Sequence, residues 1–321
     1  MDRSKEFVTL TMESREYSRR EALKLSGLGV FAVLLSQGWS LEEIQDAMRK
    51  RTIHSSKESI PVIGLGTWRT FDVGRSKEQR ANLTQVLQTI HQKGGSVIDS
   101  SPMYGSSEKV VGELTQGSGL ANQFFYATKV WTTGEKAGID QMNRSMSLMQ
   151  RKQLDLIQIH NLIDWQTHVK TLKKWKEAGK IKYWGITHYL DTAHSELEKV
   201  IKQERPDFVQ VNYSIRKRHA ERSLFETIKK FETAVLINRP YEGGSLFQIT
   251  KGKQLPAWCD ELDIASWGQY FLKFILSNEA ISCVIPGTSK PSHALDNMLA
   301  GYGQLPDQKT REKMYQHVRN L

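Results

Sequence analysis

Asp99, Tyr104, Lys129 and His160 fall at or just beyond the ends of short apolar runs, the second to fourth such runs in the chain proper. Their types suit one reaction. Hydride attack on a carbonyl carbon leaves an alkoxide, so a proton donor must stand at the oxygen. A tyrosine hydroxyl, which titrates near about 10 when unperturbed, is such a donor, and an adjacent ammonium is expected to lower that value. A carboxylate beside the lysine would keep it charged and aimed, and the histidine could position the oxygen or share the proton. Taken singly, the residues have plainer readings: Asp99 as a turn cap, Tyr104 as a loop aromatic, His160 as a structural side chain. Lys129 resists one, because a cation left unpaired at a buried strand end is costly.

Those runs belong to a longer pattern. From about residue 60, short apolar segments at 62–66, 97–99, 124–129, 154–160, 182–187, 208–212, 234–238 and 282–286 read as eight strands. Amphipathic stretches at 77–93, 108–116, 139–150, 165–178, 193–203, 222–233, 266–276 and 291–299 read as helices between them, with 307–320 as a charged helical tail. Gly94-Gly95 is a good stop for the first helix. Such alternation gives either a (β/α)₈ barrel or a doubly wound sheet. Asp99, Lys129, His160, Thr187, Asn212 and Arg239 gather at strand C-terminal ends, the face where barrels build their sites. The expected fold is therefore α/β, a (β/α)₈ TIM barrel over residues 60–321.

A net charge of +10 favours anionic partners. The basic residues are dispersed, and no aromatic code of a nucleic-acid module interleaves them, so nucleic acid is not an expected partner. Cys259 and Cys283 have no metal-ligand spacing, and Cys283 lies within an apolar run as an expected core thiol. No stretch reaches the roughly 18–20 apolar residues of a spanning helix. Near the start, Ser18-Arg19-Arg20-Glu21-Ala22-Leu23-Lys24 precedes an apolar run from Leu25 to Leu35. Residues 1–38 thus read as a twin-arginine-like signal, implying export to the periplasm through that machinery. The alternative is an amphipathic helix packed on the barrel of a cytoplasmic protein. Residues 39–59, largely polar and charged, read as a linker.

Five segments together resemble the aldo-keto reductases: Gly64-Leu65-Gly66-Thr67-Trp68, Ile98-Asp99-Ser100-Ser101-Pro102-Met103-Tyr104-Gly105, Ala127-Thr128-Lys129-Val130-Trp131, Asp155-Leu156-Ile157-Gln158-Ile159-His160 and Ile285-Pro286-Gly287-Thr288-Ser289-Lys290. The resemblance runs in order from about residue 60 to 300. It implies Tyr104 as general acid, Lys129 and Asp99 as its tuning pair and His160 as the orienting group. It also implies NADP(H), with NAD(H) as the second option, held across the barrel mouth without a glycine-rich fingerprint. Gly66 and Thr67 would lie in that mouth, Thr187, His188 and Gln210 beside the carboxamide, and Thr288, Ser289, Lys290 and His293 around the 2′-phosphate. Asn297, with Asp296, resembles the pair that contacts adenine. His188, Arg239 and His293 depart from the family's usual residues. Arg239 could stack on the nicotinamide or turn to a phosphate or carboxylate. Trp68, Trp131 and Trp165 are expected substrate walls. The implied activity is reduction of a small-molecule aldehyde or ketone. The alternative is a nicotinamide-binding regulatory or redox-sensing protein with slow turnover.

Overall fold

The computed structural model describes residues 47–321, so the expected leader and the first part of the expected linker lie outside the described residues. The rest of that linker is structured. β1 (Lys50–Thr52) and β2 (Ser59–Pro61) pair antiparallel as a hairpin. Its polar residues had suggested a linker, but Ile53 and Ile60 are buried among inward-facing barrel side chains. Burying each contributes roughly 1.5–3 kcal/mol. The hairpin turn is held by Tyr183, whose hydroxyl donates to Glu58 Oε2 at 2.7 Å and accepts from the Ser56 hydroxyl at 2.6 Å.

Eight parallel strands follow in chain order: β3 (Leu65–Gly66), β4 (Val97–Asp99), β5 (Phe125–Val130), β6 (Leu154–His160), β7 (Ile181–His188), β8 (Phe208–Asn212), β9 (Ala234–Asn238) and β10 (Cys283–Val284). Bridges Ile63↔Val284 and Gly66↔Gly287 join the first to the last, so the sheet closes into a barrel. Closure needs glycine at position 66, where a Cβ would stand 2.7 Å from the Ile285 carbonyl oxygen.

Strand side chains alternate with period two. Val97, Phe125, Ala127, Leu156, Tyr183, Phe208, Leu236 and Cys283 make one buried cluster, the barrel interior. Their neighbours Ile98, Tyr126, Ile157, Trp184, Val209, Ile237 and Val284 belong to a second cluster, shared with the helices. The same alternation continued toward the strand ends places Asp99, Lys129, Gln158, His160, Thr187, Gln210 and Asn238 on the inner face.

The helices are α1 (Lys77–Gln92), α2 (Ser107–Gly117), α3 (Glu135–Leu148), α4 (Trp165–Glu177), α5 (His194–Glu204), α6 (Leu224–Lys230), α7 (Ser245–Ile249), α8 (Trp267–Leu276), α9 (Pro291–Leu299) and α10 (Gln308–Arg319). Ser76, Ser266 and Asp307 cap α1, α8 and α10 by accepting from backbone N–H groups. Two helices differ from expectation. α3 begins four residues earlier, where Gly134 at φ 86° breaks the preceding chain. α6 is shorter, since the left-handed Glu232 (φ 55°) lies just beyond its end. α7 lies in a loop where no helix was expected. Among the described residues no helix is long and apolar enough to cross a membrane.

Candidate active site

Asp99 ends β4, Lys129 is the penultimate residue of β5, and His160 ends β6. Register sets Asp99 beside Ala127, Lys129 beside Gln158 and His160 beside Thr187. Tyr104 comes from the turn after β4, where its N–H bonds the Ser101 carbonyl at 3.0 Å and its carbonyl accepts from Ser107 N at 3.1 Å. Gly105, at φ +59°, lets that turn close against the Asp72 carboxylate, which leaves no room for a Cβ.

These elements bring the four predicted residues together. Lys129 Nζ donates to Asp99 Oδ2 at 2.6 Å and to the Ser100 carbonyl at 2.7 Å. It lies 5.1 Å from the Tyr104 ring centroid. The rings of Tyr104 and His160 meet edge to face at 6.1 Å. Asp99 Oδ1 accepts from Gln158 Nε2 at 3.0 Å and Gln210 Nε2 at 2.9 Å. Both charges of the pair are therefore fully engaged, as burial requires.

Burial holds the Tyr104 hydroxyl above its ordinary value, outweighing the downward pull of the Lys129 charge. The expected net lowering by the ammonium is therefore reversed: removing a phenolate from water costs more than one shared cation returns. Burial would push Lys129 down, but Asp99 and Tyr104 hold it above the usual lysine range. His160 is pushed down to about 3 by burial, then by the charges of Lys129 and His188. The imidazole is thus neutral at pH 7. The site consists of a protonated phenol, a buried lysine–aspartate ion pair and an uncharged imidazole.

A cavity of about 640 Å³ opens above this group. Gly66, Thr67, Thr187, Gln210 and Arg239, predicted for the cofactor, line it, as does Trp68. Thr67 Oγ1 is already engaged with the Asp99 carbonyl and Ser100 Oγ, both at 3.0 Å. Trp131 stands with its ring 6.3 Å from that of His160 and is exposed. Trp165, the first residue of α4, packs on the strand–helix core and is not among the cavity-lining residues. His188 is not among the lining residues; its Nδ1 accepts from Leu190 N at 3.1 Å and its ring stacks on Tyr189. Thr288, Ser289, Lys290, His293 and Asn297 cluster at and within α9, outside the cavity lining. Thr288 Oγ1 accepts from Lys290 N at 3.1 Å, while Ser289, Lys290 and His293 are exposed. Asn297 Oδ1 accepts from the cavity-lining Tyr241 at 2.5 Å, and Asp296 is held by Ser266 and Gln269.

Sequence reasoning passed over Gln158, Asn238 and Ser101. The first two were signalled by strand alternation, two residues from His160 and two from Leu236. Ser101, whose Oγ lies 3.1 Å from His160 Nδ1, carried no periodic signal. Tyr189, Tyr241 and Phe247 also line the cavity, from loops whose course spacing does not reveal.

The chain is 26% identical over 142 residues to aldo-keto reductase YhdN of Bacillus subtilis (strain 168), covering 40% of this chain and 43% of that protein. The chain thus matches less than half the length of that relative. Aldo-keto reductase str7 of Strobilurus tenacellus is 23% identical over 291 residues, covering 78% of this chain and 84% of its own. Among solved structures, an aldo-keto reductase from Klebsiella pneumoniae in complex with NADPH superposes with a TM-score of 0.70 at 23% identity, covering 84% of this chain and 96% of that one. That likeness shows the fold. The model of the aldo/keto reductase family matches residues 62–313, and this chain belongs to that family.

Proposed function

We propose that the protein is an NADP(H)-dependent carbonyl reductase in which Tyr104 protonates the reduced oxygen. The observation that carries this reading is the convergence of a protonated Tyr104, a neutral His160 and Asp99 on one cavity wall, with the buried Lys129 paired to Asp99. The residues present suit a nicotinamide dinucleotide. Asn238 lines the cavity and its buried Oδ1 has no partner, an acceptor fit for an amide N–H. Gly66, Gly243, Gly244 and Gly287 leave backbone approachable around the rim. Arg69 and Arg239 line it too, with no carboxylate partner among the described residues, and suit an anionic group. Tyr241 connects the cavity to α9 through Asn297, so the expected 2′-phosphate segment adjoins it. There Lys290 offers an exposed cation beside the helix N-terminus.

When bound, the nicotinamide would supply the hydride. The protein's part is to bind, orient and protonate. Thr187, Gln210 and Asn238 would hold the carboxamide, with His160 and Tyr104 at the carbonyl oxygen. Trp68 and Trp131 would wall an apolar or aromatic substrate. Lys129 supplies positive charge beside the phenol, stabilising negative charge that develops as the proton leaves.

The test is NADPH consumption against a panel of aldehydes and ketones, with product alcohol identified. Tight NADPH binding without any reduction would favour a nicotinamide-sensing role instead. Titration with both dinucleotides should show tighter binding of NADPH than of NADH. Lys290→Ala should weaken NADPH alone by about tenfold, or about 1.4 kcal/mol, as loss of one exposed charge-assisted contact. Equal weakening of both would remove Lys290 from the 2′-phosphate. For location, we propose export through the paired Arg19 and Arg20. Cell fractionation should find the full chain in the periplasm and an Arg19→Lys/Arg20→Lys variant in the cytoplasm; the same compartment for both would contradict export.

A further inference from the structure

We infer that Ser101 is a positioning residue that fixes the tautomer of His160, making its Nε2–H a second donor to the carbonyl oxygen beside Tyr104. The catalytic half of this proposal rests on the carbonyl-reductase reading above. A neutral imidazole has one N–H and one acceptor nitrogen, and the partner of one nitrogen decides the role of the other. Here that partner is a hydroxyl: Ser101 Oγ lies 3.1 Å from His160 Nδ1. Ser101 is fully buried, which removes bulk water as a competing partner.

The serine's own contacts set the direction. Its Oγ is approached by the Met103 N–H at 3.4 Å and so already serves as an acceptor there. Its single proton has one acceptor among the described residues, His160 Nδ1. Ser101 therefore donates, Nδ1 accepts, and the imidazole proton resides on Nε2. No described residue partners Nε2, and His160 lines the cavity with its ring edge to face against Tyr104. In this tautomer the imidazole offers an N–H to an incoming carbonyl. In the other, a nitrogen lone pair would face the oxygen's lone pairs. Burial, and then the Lys129 charge, disfavour a second imidazole proton, so orientation of the single proton is the remaining freedom. Ser101 removes it.

The experiment uses the full chain, labelled with ¹⁵N-histidine and read by long-range ¹H–¹⁵N correlation. The wild type is expected to show the Nε2–H form of His160. Ser101→Ala should shift that resonance toward a mixture of tautomers and lower kcat about tenfold, with KM for the carbonyl unchanged. Ser101→Thr, which keeps the hydroxyl, should restore both signals. A wild-type Nδ1–H form would overturn the proposal, as would an alanine variant with unchanged tautomer and kcat. The expected tautomer pattern in a protein that reduces no carbonyl would support the assignment for Ser101 and overturn the catalytic role.

Discussion

Tyr104→Phe is expected to lower kcat for carbonyl reduction by about 10²–10⁴-fold, the usual range for loss of a positioned general acid. KM for the carbonyl and affinity for NADPH should change little, because the substitution removes a hydroxyl and leaves the ring. The ring has its own structural role, packed edge to face on His160 and beneath the Lys129 ammonium, and phenylalanine keeps both contacts. Equal falls in kcat and kcat/KM would mark an interaction made in the transition state. Steady-state kinetics on the best carbonyl of the panel reads this directly. Residual activity within a factor of a few of the wild type would move the acid elsewhere.

The second large effect is on stability. Lys129→Met should destabilise the fold by about 3–5 kcal/mol, because it strands a buried carboxylate. The side chain of Lys129 is wholly inaccessible and that of Asp99 is 4% exposed, so water cannot replace the lost partner. Gln158 and Gln210 still donate to Asp99, which places the cost toward the lower end. A decrease in Tm of roughly 10 °C follows for a domain of this size. Adding Asp99→Asn removes the stranded charge and should recover most of the loss without restoring activity. The pH dependence has a definite sign. Pairing holds Lys129 above its ordinary value, so its stabilisation is complete below the unfolded lysine value and is lost only as pH rises through the higher folded one. Denaturant titration of the single and double variants at neutral pH checks the account. An unaltered Lys129→Met protein would show that the pair carries no stability.

The barrel was legible because strands buried in the wall must be apolar, and polar residues that interrupt such runs mark their C-terminal ends. Asp99, Lys129 and His160 stand out for that reason. Gln158 could have been read the same way, as the inward neighbour two residues before His160. The hairpin could not: its sequence is mostly polar, and only Ile53 and Ile60 reach the barrel interior. Loops hid the rest. Trp165, expected as a substrate wall by its position after a strand, is the first residue of α4, packs on the core and is not among the cavity-lining residues. Tyr104's net shift was misjudged for another reason. Spacing reveals a neighbouring charge, whereas the extent of burial depends on the assembled cavity.

The central claim is that a protonated Tyr104, beside a neutral His160, supplies the proton. The pH profile of kcat/KM, which reports groups of the free enzyme, tests it most directly. The profile should be flat from about pH 5 to about pH 9 and fall only above about 10, since burial raises the phenol from its ordinary value and His160 titrates near about 3. An inflection between about pH 6 and 7 that disappears in His160→Gln would contradict it, because the imidazolium would then be the acid.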